Sequence, residues 1–224
     1  MTSTLFDIHG WDIISEDNFF YFHRTLDISG KESSYHKSDL TNIWDISESE
    51  YNEMKFGKHF AKFLPLVGTN KDYAVKLKDG SVICTGYVDY YFFFIDSKGT
   101  IIDKREDIGF DNIYSFDVDK NGNIWYTIPT ANYIGQFSLL KSIDIFHLGE
   151  KYIDENPLTL PEDIKIYGDF AYISDMHNHR IIRLNIETKE WIEYLKFDEL
   201  TWEYRQFKDK EIVRLESGIY LIDT

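Results

Sequence analysis

Five segments of this chain share one form: an apolar start, a hydrophobic residue three positions on, and a closing Ser, Asp or Asn. They are Ile43-Trp44-Asp45-Ile46-Ser47, Phe92-Phe93-Phe94-Ile95-Asp96, Ile134-Gly135-Gln136-Phe137-Ser138, Ile181-Ile182-Arg183-Leu184-Asn185 and Ile219-Tyr220-Leu221-Ile222-Asp223, and their closing residues stand 38 to 49 positions apart. Ahead of each lies a turn signal: Asp17-Asn18, Asp79-Gly80, Asn121-Gly122, Gly168-Asp169 and Asp209-Lys210. These dipeptides tolerate the positive φ that a two-residue hairpin requires. The five units therefore align at two independent points.

Between the markers the apolar runs are short, rich in Ile, Val, Phe, Tyr and Trp, and bounded by Asp, Asn or Gly, with little helical periodicity. That pattern reads as all-β. A unit of roughly 44 residues holding four short strands is what a β-propeller blade needs, because one small twisted sheet cannot bury both faces until neighbours pack against it in a ring. The expected fold is a single β-propeller of about five four-stranded blades, at approximately 10–60, 67–108, 111–149, 161–199, and 201–224 joined by 4–8.

The third unit sets the register, with strands at 113–119, 123–129, 133–139 and 142–148. The fifth unit stops after its third strand, so residues 4–8 are expected to close the ring as its outer strand. In the first unit, residues 47–63 read as the fourth strand, since 51–60 falls where 191–198 falls in the fourth unit. A helix opening at Ser47 with Glu50 as its capping partner is the alternative.

Two units carry a family resemblance. Pro161, Ile164, Gly168, Tyr172-Ile173, Asp175, Asn178 and Arg180-Ile181 resemble the NHL repeat. Asp119, Asn121-Gly122-Asn123-Ile124-Trp125-Tyr126-Thr127 and Asn132-Tyr133-Ile134-Gly135 resemble the repeat of streptogramin-lyase-type propellers. The resemblance implies the propeller fold and, as one functional option, a metal-dependent lyase or lactonase-like activity. Ile128 follows Thr127 where lyase repeats carry an acidic residue, so no catalytic position is carried over. Trp44-Asp45 is a WD dipeptide without a Gly-His partner and is read as chance.

The totals narrow the partners. With 43% hydrophobic and 17% aromatic residues the chain can build a core, and four prolines leave no linker-like stretch to divide it. The formal net charge of −15 repels phosphate backbones and anionic lipid, so no nucleic acid and no membrane partner is expected, and a basic protein is favoured. The one cysteine, Cys84, falls in an expected strand, which suits a packed thiol rather than a nucleophile. With no signal-like amino terminus, a cytoplasmic location is expected. No serine elbow or phosphate-cradling glycine loop occurs, and no cofactor is expected.

The face carrying the loops before each first strand and after each second strand gathers the candidate residues. His9, His36, His177 and His179 fall there, with Asp175 beside the last two. Histidine is the commonest transition-metal side-chain ligand, so His177 and His179 are weak metal candidates, although their spacing is looser than a zinc motif. Asp175 and Asn178 flank a turn and read first as turn formers, and Arg180 as the partner of a carboxylate in the adjacent blade. The longest insertions, 30–39 and 150–163, lie on the same face, and the second offers Tyr152, Asp154 and Glu155 as a negative surface with an aromatic anchor. The functional expectation is a non-enzymatic, acidic, protein-binding module for a basic partner, of the bacterial toxin-immunity type. The metal-dependent lyase or lactonase is the alternative.

Overall fold

Short β-branched and aromatic runs joined by tight turns pair most cheaply with their nearest neighbours in sequence, and the computed structural model shows this throughout. It describes residues 2–6, 10–16, 18–25, 33–56, 73–85, 91–106, 113–149 and 156–222. Strand β1 (Thr2–Phe6) opens the chain. Blade one follows as β2 (Gly10–Glu16), β3 (Phe19–Thr25), β4 (Ser33–Ser38) and β5 (Ile43–Ile46), and helix α1 (Glu48–Phe56) follows it. Blade two is β6 (Tyr73–Lys76), β7 (Val82–Thr85), β8 (Tyr91–Ile95) and β9 (Ile101–Glu106). Blade three is β10 (Ser115–Val118), β11 (Ile124–Ile128), β12 (Tyr133–Ser138) and β13 (Ile143–Leu148). Blade four is β14 (Pro161–Tyr167), β15 (Phe170–Asp175), β16 (Arg180–Asn185) and β17 (Trp191–Lys196). Blade five is β18 (Thr201–Phe207), β19 (Lys210–Leu215) and β20 (Gly218–Ile222), completed by β1 as its fourth strand.

The five antiparallel sheets form a five-bladed propeller. β1 lies antiparallel to β20, with Thr2 opposite Ile222 and Thr4 opposite Tyr220, so the amino terminus closes the ring, with Thr2–Phe6 rather than the expected 4–8 as the described strand. Cores form where blades face each other. Ile83 and Phe92 of blade two pack with Phe116, Ile124 and Tyr126 of blade three. Trp125 and Ile134 of blade three meet Ile164, Ile173 and Ile182 of blade four. Tyr172 and Ile181 meet Tyr204, Val213 and Leu215 of blade five, and Phe207, Ile212 and Ile219 meet Ile13, Phe20 and Phe22 of blade one.

β11 shows how a period of two serves a ring. All five of its residues are buried, with Ile124, Tyr126 and Ile128 facing blade two while Trp125 faces blade four. Gly135 on β12 leaves room for the Tyr126 ring, because a Cβ there would lie 2.3 Å from Tyr126 Cζ. Gly135→Ala is therefore expected to cost about 1–3 kcal/mol, read as a lower urea midpoint with an unchanged slope. Cys84 is buried in β7.

Blade one departs from the expected register. Ile43–Ile46 is its outer strand rather than its third, and the third place is taken by β4, inside the segment read as an insertion. The Ser-Ser-Tyr-His-Lys-Ser run of β4 has almost no apolar signal. It holds as a strand because it is hydrogen-bonded on both sides, to β3 and to β5.

With the outer place filled, residues after Ser47 have no sheet edge to join, and they form α1 instead of the expected strand. Ser47 Oγ accepts the backbone N–H of Glu50 at 3.1 Å, Glu48 and Glu50 lie in the first turn and Lys55 in the last. Tyr51, 3% exposed, anchors the helix against Tyr35 of β4 and His23 of β3, and the helix also touches β6 of blade two. The last turn signal is displaced by one residue: the hairpin before β19 is Lys208-Asp209, with Lys208 at φ 56°. His9, Asp17, Tyr152, Asp154 and Glu155 lie outside the described residues.

Candidate functional site at the mouth of the ring

Contacts run from β6 through β10, β14 and β18 to β2, so these first strands line the axis. Alternation along them sends one set of side chains inward. Ser115, Asp163 and Glu203 occupy equivalent places, opposite Thr127, Ser174 and Arg214 of their second strands. One step deeper come Asp117, Lys165 and Arg205.

These polar side chains knit the blades together. Ser115 Oγ donates to Asp163 Oδ1 at 2.9 Å, and the Ile166 N–H donates to Asp117 Oδ2 at 2.8 Å. Arg205, 5% exposed, donates to Asp163, to Glu203 Oε2 at 3.2 Å and to the carbonyls of Tyr204 and Ile13. The Ile13 N–H donates to Glu203 Oε2 at 2.7 Å, and Arg214 donates to Glu203 Oε1 at 3.0 Å. Burial opposes the charge on Arg205, but Asp163 and Glu203 outweigh it and hold its pKa above the ordinary arginine range. Asp117 is pushed up by burial, against the pull of Lys165.

The mouth lies just above this network, on the face where each blade's first strand begins. The ladder slips by one residue between Pro161 and Asp163, and again between Thr201 and Glu203. Such bulges re-aim a side chain. They place Glu162 and Trp202 at the rim, beside Tyr114, which precedes Ser115 in the same way. The Arg214 guanidinium lies 5.2 Å over the Trp202 ring.

Glu162 is the group out of balance. It is half-buried, its Oε2 is out of solvent without a hydrogen-bond partner, and Tyr114 supplies a hydrogen bond to its carboxyl. Burial pushes the carboxyl up to about 7, against the attraction of Arg214 and with the repulsion of Asp163 and Glu203. Among the described residues the axis cluster holds four carboxyl groups, Asp117, Glu162, Asp163 and Glu203, and three cations, Lys165, Arg205 and Arg214. With all four carboxyls ionised, including Asp117 and Glu162 whose pKa values burial raises, it holds one negative charge more than its three cations balance.

This fixes the sign of a pH effect. A carboxyl whose folded-state pKa is raised binds a proton more tightly in the fold than in the open chain. Stability is then lost as pH rises from the ordinary value of 4.5 to about 7. Glu162→Gln cannot ionise, so it is expected to melt with the native protein near about pH 5 and above it near about pH 8. Parallel melting curves at both pH values would assign the proton to another group.

The residues singled out in the sequence are distributed differently. Asp175 is fully buried, and its carboxylate accepts the Thr159 N–H at 2.7 Å, Asn178 Nδ2 at 2.9 Å and Arg180 Nε at 2.8 Å. Arg180 is thus paired within its own blade, to Asp175 and to Glu193, rather than with the adjacent blade. His177 is exposed on the 3₁₀ turn Met176–Asn178, and His179 follows in the left-handed region at φ 54°. Among the described residues no group of three or more His, Cys, Asp or Glu could hold a metal ion. His36 lies within β4, where its Nδ1 is 2.9 Å from Asp45 Oδ1 and its ring stacks on Phe22.

Glu162 and Asp163 entered the sequence reading only as acidic residues of the 150–163 insertion, and the other rim and axis residues escaped it, although a signal existed. Three consecutive first strands carry polar residues at a spacing of two, Ser115 and Asp117, Asp163 and Lys165, Glu203 and Arg205. Polar residues at that spacing on strands that should be buried mark a lined axis.

No family model matches the chain, and no curated protein does. Solved structures do. A streptogramin B lyase structure matches 100% of this chain and 72% of its own at 14% identity and a TM-score of 0.52. A protein of unknown function from Bacteroides caccae matches 92% and 70% at 10% identity and a TM-score of 0.54. YCF48 bound to D1 peptide matches 92% and 60% at 8% identity and a TM-score of 0.55. At such identities the likeness is one of fold, and the chain resembles propellers of the streptogramin-lyase type. Among the described residues no helix is long and apolar enough to cross a membrane.

Proposed function

We propose that this propeller is a non-enzymatic binding module that receives a cationic side chain of a basic protein partner at the mouth of the ring, beside Glu162. The observation that supports it is the unmatched carboxyl: Glu162 carries an unpartnered Oε2 in a cluster with four carboxyls and three cations, one positive charge short of balance when all four carboxyls ionise. A partner lysine or arginine supplies that charge. Trp202 and Tyr114, on the flanking blades, offer the aromatic surface on which such side chains settle. The net charge of −15 speeds the approach of a basic protein. One concrete form is a cytoplasmic immunity-type inhibitor that covers the site of a basic toxin.

Capture from the native host at low and high salt, with native protein and Glu162→Gln, tests the reading. A stoichiometric basic partner retained by the native protein at low salt, and lost both at high salt and with Glu162→Gln, is the expected result. Equal retention by Glu162→Gln would move the contact elsewhere on the ring.

The same carboxyl favours a second reading. A group that titrates near 7 is suited to proton transfer, and the fold is shared with a lyase, so a lyase or lactonase-like activity would use Glu162 as its acid or base. Turnover that requires added divalent metal, with no partner captured, would decide for it.

A further inference from the structure

We propose that Ser34, His36 and Asp45 form a second, separate site: a nucleophilic serine on the outer half of blade one that accepts an acyl group from a small activated ester. The register of two strands builds it. Ser34 and His36 are two apart on β4 and so share a face, while Asp45 on β5 lies directly opposite His36. Ser34 Oγ is 2.9 Å from His36 Nε2, and His36 Nδ1 is 2.9 Å from Asp45 Oδ1. The two imidazole nitrogens are thus divided between a hydroxyl and a carboxylate, the connectivity of a nucleophile, a base and an orienting acid.

The ring is held in place. It stacks on the buried Phe22 at a centroid distance of 5.1 Å, and its side chain is 12% exposed. Asp45 is 91% exposed, and its contact with Nδ1 is close without the alignment of a hydrogen bond, so it acts by charge and proximity. That charge favours the tautomer with the proton on Nδ1, which leaves the Nε2 lone pair for the Ser34 hydroxyl. Ser34 lies one residue beyond the β5 pairing, which ends with Ile46 opposite Tyr35, and it is partly exposed. Ile43, 40% exposed and two residues from Asp45 on the same face, offers an apolar surface to the acyl chain.

In the reaction, Ser34 Oγ bonds to the ester carbonyl carbon while its proton passes to His36 Nε2. The carbon–alkoxide bond then breaks, and the proton leaves with the alkoxide as alcohol. Water, giving its proton to the same nitrogen, hydrolyses the acyl-serine, and the proton returns to Ser34 Oγ.

The test is covalent labelling by an alkyl fluorophosphonate, which forms an Oγ–P bond with loss of fluoride, followed by intact mass and peptide mapping. The full chain is expected to take one label, on Ser34, absent in Ser34→Ala. Labelling should slow at least tenfold in His36→Asn. In Asp45→Asn it should slow several-fold with unchanged melting, and Asp45→Glu should restore part of the rate. Since Asp45 is exposed, its variants keep the fold and report on reactivity alone. A folded native protein without label on Ser34, or labelled at the same rate in both His36→Asn and Asp45→Asn, would overturn the proposal. Glu162→Gln leaves this labelling unchanged, so failure at the ring mouth and failure here are told apart.

Discussion

Replacing Arg205 with methionine is expected to lower the melting temperature by about 10–15 °C. Breaking a buried ion pair by removing one partner costs about 3–5 kcal/mol, and in a chain of this size each kcal/mol shifts melting by roughly 2–4 °C. The site has the conditions for the high end. Arg205 is 5% exposed and joins three blades, through Asp163 of blade four, Glu203 of its own blade and the Ile13 carbonyl of blade one. Its removal leaves Asp163 charged beside Ser115 alone, and leaves the Ile13 carbonyl without its donor. Glu203 suffers less, because Arg214 still holds it at 2.9 Å. Pairing Arg205→Met with Asp163→Leu removes both charges and should recover much of the loss, since a buried ion pair replaced by apolar side chains is often close to neutral. A melting temperature within about 2 °C of native for the single variant would remove the network from any part in stability.

Removal of residues 1–6 is expected to have an effect of similar size through a different mechanism. β1 is the fourth strand of blade five, with Thr2, Ser3 and Thr4 opposite Ile222, Leu221 and Tyr220. Without it β20 becomes a bare edge, and each lost net hydrogen bond costs about 1 kcal/mol, so several together lower melting by roughly 10 °C. The loss should be local at first. Hydrogen exchange is expected to quicken in β20 and β19 before it does in blade three, because blade five would then be a three-stranded sheet next to the β18–β2 junction. A synthetic peptide of residues 1–8 added in excess should restore part of the melting temperature by rejoining the edge. If truncation leaves both melting and β20 exchange unchanged, the ring does not depend on this closure.

The ring was legible because its information is local. Asp79-Gly80 and Asn121-Gly122 demand hairpins wherever they stand, with Gly80 and Gly122 at φ 81° and 78°, and the apolar runs beside them can only be strands of that hairpin's sheet. Blade one was misread because β4 has no such local signal. Its Ser, Tyr, His and Lys become a strand through pairing on two sides, and that pairing displaced Ile43–Ile46 outward and left Ser47 free to cap a helix.

The candidate site was less legible for the same reason. Asp175 was visible as a turn former, and its three donors bear that out. Glu162 was visible only as one acidic residue in a long acidic loop. Its pKa is raised first by burial at a one-residue slip in the ladder and then by the repulsion of Asp163 and of Glu203, more than 40 positions away, against the attraction of Arg214. Likewise His36 stood out in the sequence only as one of four loop-face histidines, with nothing to link it to Ser34 or Asp45, and the strand register alone brings the three within 2.9 Å of one another in turn.

The amino-acid sequence by itself determined the five units, the hairpins within them and the closing role of the amino terminus, because turn chemistry and a period of two act between neighbours. Only the tertiary structure decided which polar residues meet at the axis, which carboxyl is left without a counter-charge, and which hydroxyl faces an imidazole. The first two depend on burial and on contacts between blades, which do not exist until the ring is closed, and the third on a strand register that the local sequence does not signal.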